Sequence, residues 1–189
     1  YAMASHRREQ KLVRAAYFDP LTNLPNRLSF LERLTRVVSD NCASGGLVGI
    51  ALFNLDGTKL INTRFGHEVG DEMLRIAAKR LTPFKKEGDF LARIGGDEFA
   101  LLMNGVLLTG HALNATRAAA NAVTGPMETD QGKLIITATC GVAAREIKNC
   151  DNATDVAQEL LLSATHAMFE AKISGRRRNT SNVALARSH

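Results

Sequence analysis

The stretch Arg93-Ile94-Gly95-Gly96-Asp97-Glu98-Phe99-Ala100-Leu101-Leu102 restricts the fold more than any other part of the chain. Apolar runs at 90–92 and 99–103 flank a Gly-Gly-Asp-Glu core, the pattern of two strands joined by a tight turn. Glycines at such a tip admit positive φ and let a ligand approach bare backbone. Two carboxylates beside a bare turn suit the holding of a divalent cation against phosphate oxygens, and they suit an ordinary solvated hairpin as well. The rest of the chain has to decide between those readings.

A length of 189 residues fits one domain with a substantial core. The hydrophobic fraction of 45% and charged fraction of 23% are those of a soluble globular protein. No apolar run approaches the roughly 20 residues that cross a bilayer, and no signal peptide opens the chain. The fragment is therefore expected to make no membrane contact and to work in the cytoplasm, although a parent protein could carry a membrane sensor. Cys42, Cys140 and Cys150 are odd in number and lack metal-ligand spacing, which predicts a reducing compartment without disulfides. The net charge of +5 suits a polyphosphate ligand. It is too diffuse for a nucleic-acid surface, and two Tyr with no Trp leave little to stack bases on.

In chain order, residues 1–18 read as a helical lead-in with a narrow apolar stripe, of which Tyr1 to His6 read as a cloning remnant. Asp19-Pro20-Leu21-Thr22 predicts a turn, and Asn26 a cap for a helix with Leu28, Phe30, Leu31, Leu34, Val37 and Val38 inward. Leu47 to Phe53 is apolar on both faces, as a central strand requires, and runs out at Asn54-Leu55-Asp56. Strand ends are where ligand-binding side chains emerge in α/β sheets, and Asn54 and Asp56 would share a face if the strand persisted. A polar connection is expected over Gly57 to Phe65, then a helix from Glu68 to Leu81 ended by Pro83. Beyond the hairpin come a helix over Gly110 to Val123, one strand over Leu134 to Ala143 and a helix over Thr154 to Ile173 with Phe169 on its inner face. A short edge strand at Asn182 to Leu185 closes the series. These elements predict an α/β fold with a mixed central β-sheet flanked by helices.

Gly95-Gly96-Asp97-Glu98-Phe99 is, letter for letter, the motif that names the GGDEF domains of the diguanylate cyclase family. The resemblance extends to Asp19-Pro20-Leu21-Thr22-Asn23-Leu24-Pro25-Asn26-Arg27, to Gly66-His67-Glu68-Val69-Gly70-Asp71 and to Ala171-Lys172-Ile173-Ser174-Gly175-Arg176, in the family's order. It implies a nucleotidyl-cyclase-like domain over 19–189 that joins two GTP into cyclic di-GMP as a homodimer, with Mg2+ or Mn2+ as cofactor. By the same resemblance, Asp97 and the backbone carbonyl of Leu55 would be metal ligands, with Asn54 at a third metal position. Glu98 would orient or deprotonate the attacking hydroxyl, and Gly95 and Gly96 would admit the nucleotide. Asn62 and Asp71 match guanine readers, while Lys59, Lys172 and Arg176 match phosphate binders. Read without the family, Asn62 is a turn residue, Asp71 an acid in a first helical turn, and Lys172 with Arg176 a basic helix end.

Departures from the pattern bear on activity. Where the family reads Asp-x-Asp-x-Phe-Lys, this chain has Asn54-Leu55-Asp56-Gly57-Thr58-Lys59, so an amide stands at a metal-binding acid. Thr63 replaces the acid that follows Asn62, and Lys86 stands at the arginine of an Arg-x-x-Asp inhibitory motif that keeps Asp89. Lysine lacks the bidentate fork of arginine, which puts feedback inhibition in doubt. The leading expectation is a diguanylate cyclase of weak or conditional activity. The alternative is a degenerate GTP-binding module that regulates an attached domain such as a cyclic di-GMP phosphodiesterase; on either reading the parent protein is expected to carry an upstream sensory or a downstream phosphodiesterase domain. A scaffold that only binds cyclic di-GMP comes last.

Overall fold

The computed structural model describes residues 14–106, 108–130, 132–150, 152–178 and 183–185, with backbone alone for 106, 175–178 and 183–185. After a helical turn at 14–17 come α1 (Arg27–Ser44), β1 (Gly46–Leu55), α2 (Thr58–Phe65) and α3 (His67–Leu81). A 3-10 turn (Thr82–Phe84) precedes β2 (Phe90–Arg93) and β3 (Glu98–Val106). The chain continues through α4 (Thr109–Val123), β4 (Gly125–Thr129), β5 (Gly132–Ile136), β6 (Ala138–Ile147), α5 (Ala153–Arg178) and β7 (Val183–Leu185).

The main sheet runs β2-β3-β1-β6-β7, with β4-β5 a separate hairpin. All pairings in the main sheet are antiparallel except β6 with β7, so the sheet is mixed, as the alternation of elements predicts. β1 sits in the middle because its residues from Val48 onward are buried on both faces. Its alternation sorts the core into two layers. Ala51, Phe53 and Leu55 pack with Met73, Leu81 and Ala112 from α3 and α4. Val48, Ile50 and Leu52 face the other way, against Phe30 and Leu34 of α1 and Leu160 and Ala164 of α5. Asn54 continues this second series by parity, which turns it toward α5. α5 lies close on β6 at Gly141, where a β-carbon would overlap the backbone of Met168 and come within 2.6 Å of its Cα.

Several sequence expectations need correction. Residues 58–65 are a helix rather than a polar connection. It buries no residue, so it leaves no apolar stripe to read, and it is bounded by Gly57 (φ 74) and Gly66 (φ 89). The expected strand over Leu134 to Ala143 is broken at Thr137, whose carbonyl accepts from the Asp56 amide at 2.9 Å; its first half pairs instead with the unforeseen β4. Phe169 is 63% exposed and Leu28 48% exposed, not inward. Close packing of α5 on the sheet selects the small face of Ala164, Ala167 and Ala171 and leaves Phe169 outside. Finally, Cys42 and Cys150 form a disulfide with Cα atoms 5.3 Å apart, against the expectation of free thiols. They lie 108 residues apart in sequence, and only the packing of α1 beside α5 brings the end of α1 to the loop after β6. The expected lead-in over residues 1–13 lies outside the described residues.

Candidate functional site

The site collects at one end of the sheet, where β1 stops and the β2–β3 turn folds over it. The turn closes through Ile94 N–H donating to the Glu98 carbonyl at 2.9 Å and Gly95 N–H to the same oxygen at 3.3 Å. Neither Gly95 nor Gly96 uses the positive φ that glycine admits. The Glu98 side chain folds back over the turn into the space beside Gly95, where a β-carbon would meet its Oε2 at 2.8 Å and its Cβ at 3.1 Å. Gly96 faces open space.

Arg93 fixes the turn to the start of the domain. Its guanidinium donates to both Asp19 oxygens at 2.9 and 3.0 Å and to the Gly96 carbonyl at 2.6 Å. Asp19 also accepts from the Thr22 amide and hydroxyl, each at 2.7 Å. Burial alone would push the Asp19 carboxyl up, but the Thr22 hydrogen bonds and Arg93 together hold it below its ordinary value. The predicted turn at Asp19 is thus a brace for the hairpin, a connection that local sequence could not reveal.

Asn54, Asp97 and Lys172 meet at the centre. The Asn54 amide nitrogen donates to Asp97 Oδ1 at 3.1 Å, and Lys172 Nζ donates to Asn54 Oδ1 at 2.6 Å. The Leu55 amide donates to the Asp97 carbonyl at 2.9 Å, and the Leu55 carbonyl accepts from Thr58 Oγ1 at 3.3 Å. Asp56 does not share a face with Asn54, because β1 ends at Leu55 and the carboxylate of Asp56 turns to β6. There it accepts from Thr137 Oγ1 at 2.9 Å and Thr139 Oγ1 at 2.8 Å.

Asn62 on α2 and Asp71 on α3 lie on consecutive helices joined at Gly66. Asn62 Oδ1 is buried and accepts no hydrogen bond. It presses on Gly70, where a β-carbon would overlap that oxygen and come within 2.9 Å of Asn62 Cγ. Asp71 is half-buried, and Lys59 is exposed on α2. The backbone of Arg176 belongs to the last turns of α5, and its side chain lies outside the described residues. Lys86 and Asp89 stand apart, at the far end of the β2–β3 pair from the turn. Asp89 accepts from the backbone amides of Lys86 at 3.1 Å and Asn104 at 3.2 Å, beside a cleft of about 220 Å³ that also touches Phe84 and His111.

The oxygens that the sequence marks as cation ligands do not fit a tightly held cation. Asn54 Oδ1, the Leu55 carbonyl and Asp97 Oδ1 each already accept a hydrogen bond from a protein donor. Among the described residues no group of three or more His, Cys, Asp or Glu is placed to hold a metal. Thr58 is the site residue whose part was missed; its departure from the family's phenylalanine was the available signal.

The chain is 33% identical over 177 residues to the diguanylate cyclase DgcP of Pseudomonas aeruginosa, covering 94% of the chain and 25% of that protein. It is 31% identical over 168 residues to the signaling protein YkoW of Bacillus subtilis, covering 88% and 20%. It thus spans about a quarter or less of these curated relatives. Among solved structures, the GGDEF domain of TpbB from Pseudomonas aeruginosa superposes with a TM-score of 0.76 at 31% identity, over 90% of this chain and 95% of that one. The coiled coil and GGDEF domain of DgcB from Caulobacter crescentus gives 0.82 at 24% identity, over 98% and 94%, a likeness of fold. Residues 16–178 match the family described as diguanylate cyclase, GGDEF domain, and the chain belongs to that family.

Proposed function

We propose that this chain is a diguanylate cyclase domain that condenses two GTP into cyclic di-GMP with weak turnover. In that reaction the 3′-hydroxyl of one GTP attacks the α-phosphorus of the other and expels pyrophosphate, and the reciprocal attack closes the ring. One observation carries the choice of nucleotide. The Asn62 amide packs on Gly70, one residue before Asp71, and its NH2 is suited to a purine acceptor. Asp71 on the next helix is suited to accept from guanine N1–H and its exocyclic amine. Gly95 and Gly96 give the phosphates access to backbone, and Lys59, Lys172 and Arg176 supply positive charge for the triphosphate. Glu98, folded over the turn, takes the proton of the attacking hydroxyl.

Diguanylate cyclases of this family generally work with a divalent cation, and turnover here, unlike nucleotide binding, would draw on Mg2+ or Mn2+ carried in by the triphosphate. Asn54 contributes an amide where the family has an acid, which supports weak rather than brisk turnover. The same residue favours a second reading, a GTP-binding module without turnover that regulates an attached domain. One relative, MucR of Pseudomonas aeruginosa, is named a bifunctional diguanylate cyclase and cyclic di-GMP phosphodiesterase, and a parent protein of that kind suits either reading. We place the domain, over residues 19–189 after its lead-in, in the cytoplasm with its GTP, as a homodimer with one GTP per subunit. Cyclic di-GMP would act back weakly through Lys86 and Asp89.

Incubation with GTP and Mg2+ or Mn2+, with products resolved by chromatography, tests the reading. Slow accumulation of cyclic di-GMP is expected, at a rate rising faster than linearly with protein concentration. Binding of GTP with no product at any concentration would select the regulatory module.

A further inference from the structure

We propose that the oxygens from which this family would build its cation site are ligated here by the protein's own donors. The site then takes a guanine nucleotide without help from a divalent cation. The inference rests on the GTP-binding reading above. Its support is that each of the three oxygens accepts a protein donor at once: Asn54 Oδ1 from Lys172 at 2.6 Å, the Leu55 carbonyl from Thr58 at 3.3 Å and Asp97 Oδ1 from Asn54 Nδ2 at 3.1 Å. The amide has only one sensible orientation. The lysine ammonium has only hydrogens to give and the carboxylate only lone pairs, so Oδ1 must face Lys172 and Nδ2 must face Asp97. Asn54 is 5% exposed, which keeps water from replacing either partner.

Two of the donors, Asn54 and Thr58, stand where the chain departs from the family's Asp-x-Asp-x-Phe-Lys. A phenylalanine at 58 would have no hydrogen for the Leu55 carbonyl. An aspartate at 54 would have none for Asp97 and would set two carboxylates about 3 Å apart, a like-charge pair that cannot stay ionised without a counter-ion. An acid at 54 therefore creates the demand that a cation meets, and the amide removes it. Magnesium requires near-octahedral oxygen ligands and sheds water reluctantly, so a set already bonded within the protein competes poorly for it. Asp56 cannot stand in, because Thr137 and Thr139 hold its carboxylate against β6.

The test compares the native chain with N54D/T58V, two near-isosteric changes, and with T58V alone, whose site on the partly exposed α2 spares the core. Free Mn2+ is followed by paramagnetic resonance without nucleotide, and a non-hydrolysable GTP analogue is titrated calorimetrically in Mg2+ and in EDTA. The native chain should leave the Mn2+ signal unchanged and bind the analogue equally in both buffers. N54D/T58V should take up Mn2+ and gain about tenfold in analogue affinity with Mg2+, with T58V in between. Mn2+ uptake by the native chain, or a tenfold loss of analogue in EDTA, overturns the proposal, as does a double variant that folds yet gains no Mn2+. Absence of analogue binding in every condition overturns the GTP reading instead, while the Mn2+ measurement still decides whether the three oxygens are engaged.

Discussion

Gly70 does at the scale of one residue what no side chain could do there. Replacing a glycine in a helix interior by alanine ordinarily stabilises it by about 1 kcal/mol. Here the added methyl would overlap the amide oxygen of Asn62 and push that side chain off α3. Gly70→Ala should therefore leave thermal stability nearly unchanged while lowering GTP affinity about tenfold, with ATP affinity unmoved. Parallel calorimetric titrations with the two nucleotides read this directly, and a loss shared equally by both would assign Gly70 to general folding. Asp19 offers a second single-residue outcome. Its carboxyl titrates below its ordinary value in the folded chain, so the unfolded state binds the proton more readily. The stabilisation is therefore present above the unfolded carboxylate value of about 4 and is lost as pH falls through the lower folded value. Denaturant unfolding of native and Asp19→Asn chains should show a stability gap at neutral pH that closes only in acid below about pH 4. A gap constant down to pH 2 would show that the charge of Asp19 is not what braces Arg93.

At the scale of elements, what could be read from the sequence depended on whether an element announces itself by its own pattern. β1, α3 and the β2–β3 hairpin carry dense apolar runs bounded by turn residues, so their place and approximate ends follow from residues 47–55, 68–81 and 90–103. α2 buries nothing and owes its limits to two glycines at positive φ, which gives no periodicity to detect. The break between β5 and β6 depends on Asp56, eighty-one residues before Thr137, and no local window contains both. The candidate site divides the same way. Motifs mark Asp97, Asn62, Asp71 and Lys172 as candidates, but motifs carry no contacts. The bridge from Lys172 through Asn54 to Asp97 spans α5, β1 and the hairpin turn, and the parity of β1 is what points Asn54 toward α5. Thr58 was visible as an oddity, yet its bond to the Leu55 carbonyl required the tight turn at Gly57.

For the whole molecule, the chemistry and the covalent link sit at opposite ends of one sheet. The β1–β6 ladder runs from Leu55 opposite Ala138, beside Asn54 and Asp97, to Gly46 opposite Ile147, beside Cys42 and Cys150. Ten residues of strand separate them, about 30 Å. The disulfide closes a loop of 108 residues that holds every strand of the main sheet but β7. Loop-closure entropy for so long a segment corresponds to about 5 kcal/mol of stabilisation, through restriction of the unfolded chain. Cys140 takes no part, because it is buried on β6, and that burial, with Asp56 nearby, pushes its thiol well above the ordinary range. Reduction should therefore expose two thiols to an aqueous reagent in the folded chain, where the oxidised chain exposes none. Guanidinium unfolding should shift to lower denaturant on reduction, and Cys150→Ser should reproduce the shift without reductant. GTP affinity in native conditions should not change, since the candidate-site end of the sheet is held by its own ladder and by the Arg93 brace. A reduced chain that keeps its unfolding midpoint would mean that contacts between α1 and α5 already confine the unfolded loop, and a parallel loss of GTP affinity would mean that the two ends of the sheet are coupled through α5.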